Sequence, residues 1–317
     1  DGTLFPYTTL FRSAVEINSP GEPGVTYIMG AGFARPLAPQ SPQAETLLHY
    51  RRHADRRNRE LVDRINPRVG DLAIDYDRDV VPLSPGRCPT ERHIIRAYVQ
   101  RAAQHHPDRA ARVACWSRLL EREPGEVEKW VDQIPVLEER VRARFAKKGG
   151  FGYVQPTADT FPPVRDFIRW VRSCSAIPMI TWLDGTSAGE ADPAAMLDTL
   201  TAQGAAAVNI IPDRNWNLAD PAQKAIKIAH LGRYVAACEA RHLPINIGTE
   251  MNRDGLPFVD RLEGAELRPY RDAFIRGAQI MVGHSILLRY AGFSYTGPQA
   301  DAEFGADRAA RNRLFAA

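Results

Sequence analysis

Three polar clusters in this 317-residue sequence carry groups with chemistry to offer: Asp184-Gly-Thr-Ser187, Asp213-Arg-Asn-Trp-Asn217 and Glu250-Met-Asn252. Each follows a short apolar run. Carboxylates in such places can hold a cation or act as a general base. A guanidinium can grip a phosphate or carboxylate through two parallel hydrogen bonds. Arg214, flanked by Asp213 and Asn215, is the candidate for that grip; an ion pair with Asp213 or a neighbouring helix is its plainer role. Glu250 and Asn252 lie two apart, so in extended backbone both side chains point to one face. Thr186 and Asn217 can equally serve as helix caps and turns.

The histidines are less concentrated. His93 follows Thr90 in the first turn of a helical pattern, a place that suits a cap as well as a substrate contact. His284, in Gly283-His-Ser285, lies in an apolar helix, where a hydrogen-bonded core histidine is the plain expectation. His105 and His106 precede Pro107 in a solvated turn.

The elements that must position these groups are legible from periodicity. Ser41-Pro42 opens a long charged helix ending near Asn66-Pro67, and Thr90 opens a helical stretch that runs to Lys148 and stops at Gly149-Gly150. That stretch, about residues 90–150, carries no strand signal and is predicted to be a helical insert. The second half alternates: a helix from Pro162, the strand Pro178–Leu183, a helix opened by Asp192-Pro193, the strand Ala206–Ile211, a helix opened by Asp220-Pro221, and the strand Pro244–Gly248. In the last of these helices Leu231, Tyr234, Val235 and Cys238 recur at helical spacing as one buried stripe. Helices alternating with nearly continuous apolar strands predict an α/β fold with a parallel sheet, either a TIM-like barrel or a doubly wound sheet. In such folds ligands collect at the C-terminal ends of the strands, where all three polar clusters fall. A helix pair over Glu266–Tyr290 is expected to close the fold.

Composition narrows the function classes. The chain is 44% hydrophobic and 25% charged, with a formal net charge of +3. Its arginines alternate with Asp and Glu, a pattern of solvated helix faces rather than of a nucleic-acid stripe. No apolar run approaches a membrane span. Cys88, Cys115, Cys174 and Cys238 stand far apart with no C-x-x-C pair, which points to a reducing, cytoplasmic compartment and away from structural zinc. The expected partner is a small-molecule substrate or ligand, not nucleic acid and not a membrane.

With these segments in order, the chain resembles the polymerase and histidinol phosphatase (PHP) superfamily. Ala14-Val-Glu-Ile17 is similar to that family's strand ending in a metal-binding glutamate, here Glu16. Tyr27-Ile-Met-Gly30 resembles its next strand, and Thr90-Glu-Arg-His-Ile94 the opening of its helical insert. Gly152-Tyr-Val-Gln-Pro156 with Ile177–Gly185 resembles the approach to its Ala-His-Pro motif, and Gly248-Thr-Glu-Met-Asn252 falls where it carries Gly-Ser-Asp-x-His. The resemblance implies a PHP-like distorted (β/α) barrel over residues 14–317 and a metal-dependent phosphoesterase.

The departures change the expected metal. Tyr27, Trp182-Leu183-Asp184 and the Glu250/Asn252 pair stand where the family has imidazoles or an aspartate–histidine pair, and neither phenol nor indole replaces imidazole as a ligand. Glu16, Glu250 and Asn252 would form an oxygen-rich metal site suited to Mn²⁺, Mg²⁺ or Ca²⁺ rather than Zn²⁺. Asp184 and Glu250 are the candidate catalytic carboxylates, with Asp213, Arg214, Asn215 and His93 as substrate contacts. The alternative is a PHP-fold protein that binds a ligand without catalysis. A Schiff-base aldolase is disfavoured, because Lys129, Lys147, Lys148, Lys224 and Lys227 all fall in helical patterns.

Thr3–Ser13, TLFPYTTLFRS, reads residue for residue as the translation of a common sequencing-adapter oligonucleotide. Residues 1–13 are therefore expected to be an artefact, with natural sequence starting near Ala14 and the family's first motifs upstream of it.

Overall fold

The computed structural model describes residues 5–10, 17–19, 22–157, 160–249 and 258–317. In chain order the regular elements are β1 (Phe5–Leu10), β2 (Val25–Ala31), α1 (Pro42–Val69), α2 (Glu91–His105), α3 (Arg109–Leu120), α4 (Pro124–Val127), α5 (Ile134–Phe145), α6 (Val164–Ser173), β3 (Ile177–Trp182), α7 (Pro193–Thr201), β4 (Ala207–Ile210), α8 (Asp213–Trp216), α9 (Pro221–Glu239), β5 (Ile245–Ile247), α10 (Arg271–Ala291), α11 (Pro298–Phe304) and α12 (Arg308–Ala316). They divide into a helical unit, residues 47–155, and a sheet unit, residues 1–46 with 156–317.

The fold is mixed α/β. One five-stranded sheet runs in the order β1-β2-β3-β4-β5. β3, β4 and β5 are parallel, as the helix–strand alternation requires. β2 instead lies antiparallel to β3, with Ile28 opposite Ile180, and β1 pairs antiparallel with β2. Residues 5–10, inside the adapter-like stretch, thus form the first strand of the sheet. The helices between the parallel strands begin where their caps predict. Asp192 accepts from Ala195 N at 3.0 Å ahead of Pro193, and Asp220 accepts from Ala222 N at 2.9 Å ahead of Pro221. Such caps each contribute about 1 kcal/mol.

Strand alternation gives the sheet two different faces. On one, Trp182 of β3 stacks on Tyr234 of α9, with ring centroids 4.6 Å apart. Leu231, Tyr234, Val235 and Cys238 are buried there as one stripe. On the other, Met29, Ile177, Met179 and Ala207 pack with Ile280, Tyr295 and Phe315 from the C-terminal helices. In place of a helix pair over 266–290, α10 is one continuous helix of 21 residues, followed by α11 and α12. It crosses β5 so closely that a Cβ on Gly277 would stand 1.8 Å from the Ile245 carbonyl oxygen. Only glycine permits that approach.

The helical unit is built on one apolar cluster that includes Ile65, Tyr98, Trp116, Val141 and Phe145. Its α1 runs to Val69 with Pro67 inside, past the expected stop. Asn66 there holds the connector: its side chain donates to Ile74 O at 2.9 Å, accepts from Ile74 N at 3.0 Å, and accepts from the Tyr98 hydroxyl at 2.8 Å. No helix of the described residues is long and apolar enough to cross a membrane. All four cysteines are free thiols.

Candidate functional site

Beyond β3 the chain turns through Leu183, Asp184 and Gly185, and the turn is organised from inside. Glu190, 1% exposed, accepts three successive backbone N–H groups: Leu183 at 2.7 Å, Asp184 at 3.2 Å and Gly185 at 3.0 Å. Three consecutive amides aimed at one carboxylate make an anion nest filled by the protein's own side chain. Burial pushes the Glu190 carboxyl up to about 7, against the opposing effect of the three amides. Gly185 takes φ +73°, and a Cβ there would meet the His230 ring at 2.9 Å. Another residue would strain the turn and displace His230, whose Nδ1 lies 3.1 Å from the Asp184 carbonyl oxygen.

Asp184 itself is half-buried and engaged on both oxygens. Oδ1 accepts from Thr186 N at 3.0 Å and from the Thr186 hydroxyl at 2.5 Å; Oδ2 accepts from Lys227 Nζ at 2.8 Å. Burial alone would raise this carboxyl, but the Lys227 and Thr186 hydrogen bonds outweigh it and hold it below the usual range. The Asp184–Lys227 pair, with side chains 13% and 19% exposed, is therefore charged and largely shielded.

At the end of β4 the single turn α8 carries Asp213, Arg214 and Asn215. Asn215, completely buried, donates through Nδ2 to the carbonyls of Leu183 at 3.2 Å and Ile211 at 3.3 Å, so it ties the exit of β3 to that of β4. Its Oδ1 is buried without a hydrogen-bond partner among the described residues. Asp213 accepts from Asn217 Nδ2 at 2.9 Å. Arg214 is half-buried beside it. Asp260, which the sequence pattern did not single out, is buried next to this turn and accepts from Trp216 Nε1 at 3.2 Å. Burial, with the nearby Asp213 charge as a further cause, pushes its carboxyl up.

A second polar feature runs across the strands. Thr181, Asn209 and Asn246 are register partners on β3, β4 and β5, so they share one row and one face. Thr181 and Asn209 are buried, and the Thr181 hydroxyl has no partner among the described residues. At one edge of the row, fully buried Asn18 bridges β2 to β3. It donates to the carbonyls of Tyr27 at 2.8 Å and Thr181 at 2.5 Å, and it accepts from Tyr27 N at 2.8 Å. At the other edge, Gly248 brings bare backbone beside Asn209 Oδ1, 3.7 Å from where a Cβ would stand. The signal for this row was present in the sequence as one polar residue within each of three short apolar strands.

The strand ends thus gather Asp184, Asp213, Arg214 and Asn215 on two successive exits of one sheet. His93 belongs to the helical unit, where its Nδ1 accepts from Thr90 N at 3.0 Å and caps α2. Burial, with Arg96 as a smaller cause, holds its imidazole below the usual range. Glu16, Glu250 and Asn252 lie outside the described residues. Among the described residues no group of three His, Cys, Asp or Glu side chains is placed to hold a metal ion. The row's own oxygens are neutral, so a hard divalent cation would need carboxylates from outside the described residues to be held beside it. His284 is a core residue, completely buried: Nδ1 accepts from Tyr295 N at 3.1 Å, so Nε2 carries the proton toward the Gly32 carbonyl at 2.9 Å.

No protein-family model matches the chain, and no curated protein matches it. Among solved structures it is similar to an amidohydrolase from Chromobacterium violaceum with bound sulfate and no metal, at 11% identity over 78% of this chain and 72% of that chain, TM-score 0.43. It is also similar to a candidate metal-dependent phosphoesterase from Bifidobacterium adolescentis, at 15% identity over 86% of this chain and 76% of that chain, TM-score 0.44.

Proposed function

We propose that this chain is a metal-dependent hydrolase of the phosphoesterase type, acting on a small anionic metabolite at the C-terminal edge of β3, β4 and β5. The observation that carries the reading is the concentration of polar groups there. A shielded Asp184–Lys227 pair, the Asp213–Asn215 turn and the Thr181–Asn209–Asn246 row lie along one end of three parallel strands. The buried Thr181 hydroxyl and Asn215 Oδ1, without partners among the described residues, support a site that a ligand completes.

In this reading the sheet is part of a distorted PHP-like barrel, and Glu16, Glu250 and Asn252 supply the metal ligands. The described residues flanking them, Asn18 and Gly248, sit at the two edges of the polar row, which supports that assignment. Held by Glu16, Glu250 and Asn252, a divalent cation would supply Lewis acidity and a more acidic water. Glu250 is the general base, and Arg214 with Asn215 orients the anionic group. Asp184 is the second catalytic carboxylate, its orientation fixed by Thr186 and Lys227. The protein works in the cytoplasm, a placement that four free thiols support.

A second reading has one observation in its favour. Both Asp184 oxygens are already engaged, as suits a residue that shapes a pocket rather than one that moves protons. The chain would then bind its ligand without turning it over.

The test is hydrolysis of a panel of phosphomonoesters by the purified chain with Mn²⁺ or Mg²⁺. The hydrolase reading expects turnover abolished by EDTA and reduced by Glu250→Gln by about two orders of magnitude or more. Turnover indifferent to both refutes it. Thermal stabilisation by ligand without turnover supports the second reading.

A further inference from the structure

The helical unit carries a cleft of about 290 Å³ lined by Leu120, Arg122, Arg140, Ala143 and Arg144. Arg140 and Arg144 stand one turn apart on α5 and so share a face. Arg122 reaches the cleft from the turn after α3, where Glu121 takes left-handed backbone at φ 54°. Three guanidinium groups around so small a volume repel one another, and the protein offsets them only in part. Glu126 contacts Arg122 at 3.9 Å and Arg140 at 3.3 Å, and Glu121 pairs with Arg144. Three cations against two carboxylates leave the cleft net cationic.

Two features prepare these arginines for a ligand. The Arg140 guanidinium stacks 4.6 Å from the Trp130 ring centroid, and that of Arg144 lies 5.7 Å from Phe151. Stacking fixes each fork before an anion arrives, so less side-chain freedom is lost on binding. The Glu126 contacts, meanwhile, are longer than the roughly 2.7–2.9 Å of a good charge-assisted hydrogen bond. Exposed pairs of that kind contribute little and exchange readily for a better acceptor. Arg144 Nε is buried and has no hydrogen-bond partner among the described residues.

We propose that this cleft binds a phosphate-type dianion, with Glu126 as the built-in competitor that the ligand displaces from Arg122 and Arg140. The site is separate in sequence and chemistry from the strand-end site and does not depend on the activity proposed above. Its ligand is inorganic phosphate or the phosphate group of a small metabolite.

Titration calorimetry on the full chain tests this with two probes, inorganic phosphate and methylphosphonate, at constant ionic strength against sodium chloride. Binding of both assigns the site to organic phosphates; binding of phosphate alone assigns it to the free ion. In either case Arg140→Ala is expected to weaken binding about tenfold or more, through loss of a charge-assisted contact. Glu126→Gln is expected to tighten it by several-fold, a gain that misfolding cannot mimic, and Arg276→Ala, exposed on α10, leaves it unchanged. No binding above the chloride control overturns the proposal. So does binding that survives Arg140→Ala in a chain that also carries Arg214→Ala to silence the strand-end contact, that falls in Arg276→Ala, or that weakens in Glu126→Gln. Those results would leave the hydrolase reading untouched, because its assay uses different residues.

Discussion

In the helical unit, residues from Leu61 to Ala146 form one apolar cluster, and Ser84 and Glu138 are its buried polar or charged side chains among the described residues. The sheet unit buries Asn18, Thr181, Glu190, Asn209, Asn215, Asp260, His284 and Arg311, among others. Burying a polar group costs free energy unless a partner replaces water. Most of these have partners: Glu190 takes three amides, His284 two backbone groups, and Arg311 the carbonyls of Tyr295 and Ala300. The Thr181 hydroxyl and Asn215 Oδ1 do not, and both lie toward the C-terminal ends of the parallel strands. The helical unit gains stability from a mainly apolar core, although Ser117 Oγ and Trp130 Nε1 are buried there without partners among the described residues. The other keeps polar groups at one edge, where a ligand can use them.

That contrast can be broken most violently in the helical core. Trp116, completely buried, is expected to cost about 3–5 kcal/mol when replaced by alanine, measured by urea denaturation. A loss below about 1 kcal/mol would mean that the cluster is not packed as described. In the sheet unit, Lys227→Met leaves the Asp184 carboxylate shielded and without its cation, though still held by Thr186. The expected loss is about 2–3 kcal/mol, below the roughly 3–5 kcal/mol of breaking a fully buried pair. A neutral outcome there would show that the pair is solvated.

Glu190 sharpens the comparison through pH. Its carboxyl is raised from the ordinary 4.5 to about 7, so the folded state prefers the protonated form. The stability this supplies is fully present below about pH 4.5 and is lost as pH rises through 7. Glu190→Gln keeps the shape and removes the titration, leaving one or more of the three amides poorly paired at a cost of about 1–2 kcal/mol. The melting-temperature gap between wild type and variant should therefore narrow from pH 5 to pH 8. A gap that widens would reverse the assignment. The smallest effect is the most telling. Thr181→Val removes a buried hydroxyl that has no partner, so stability should stay within about 1 kcal/mol or rise. Ligand binding at the strand ends should fall in the same variant.

Much of the sheet unit was legible because its strands are short and marked. Asp-Pro caps announced α7 and α9, and the strands expected over 178–183, 206–211 and 244–248 appear as β3, β4 and β5 within a residue or two. The direction of β2 was not legible, because alternation within one strand carries no information about its neighbour. The site was legible only where residues adjoin in sequence, as at Asp213, Arg214 and Asn215. Glu190 escaped notice because its role lies in three backbone amides, five to seven residues away and invisible to side-chain pattern. The Thr181–Asn209–Asn246 row escaped because register, which brings the three together, is a property of the folded sheet.

The most direct test of the central claim is a crystal structure of the chain soaked in Mn²⁺, with an anomalous difference map collected for manganese. The hydrolase account predicts a strong peak within coordination distance of Glu250, beside Asn209 at the strand ends. A map with no peak there, or with manganese bound elsewhere, would contradict it.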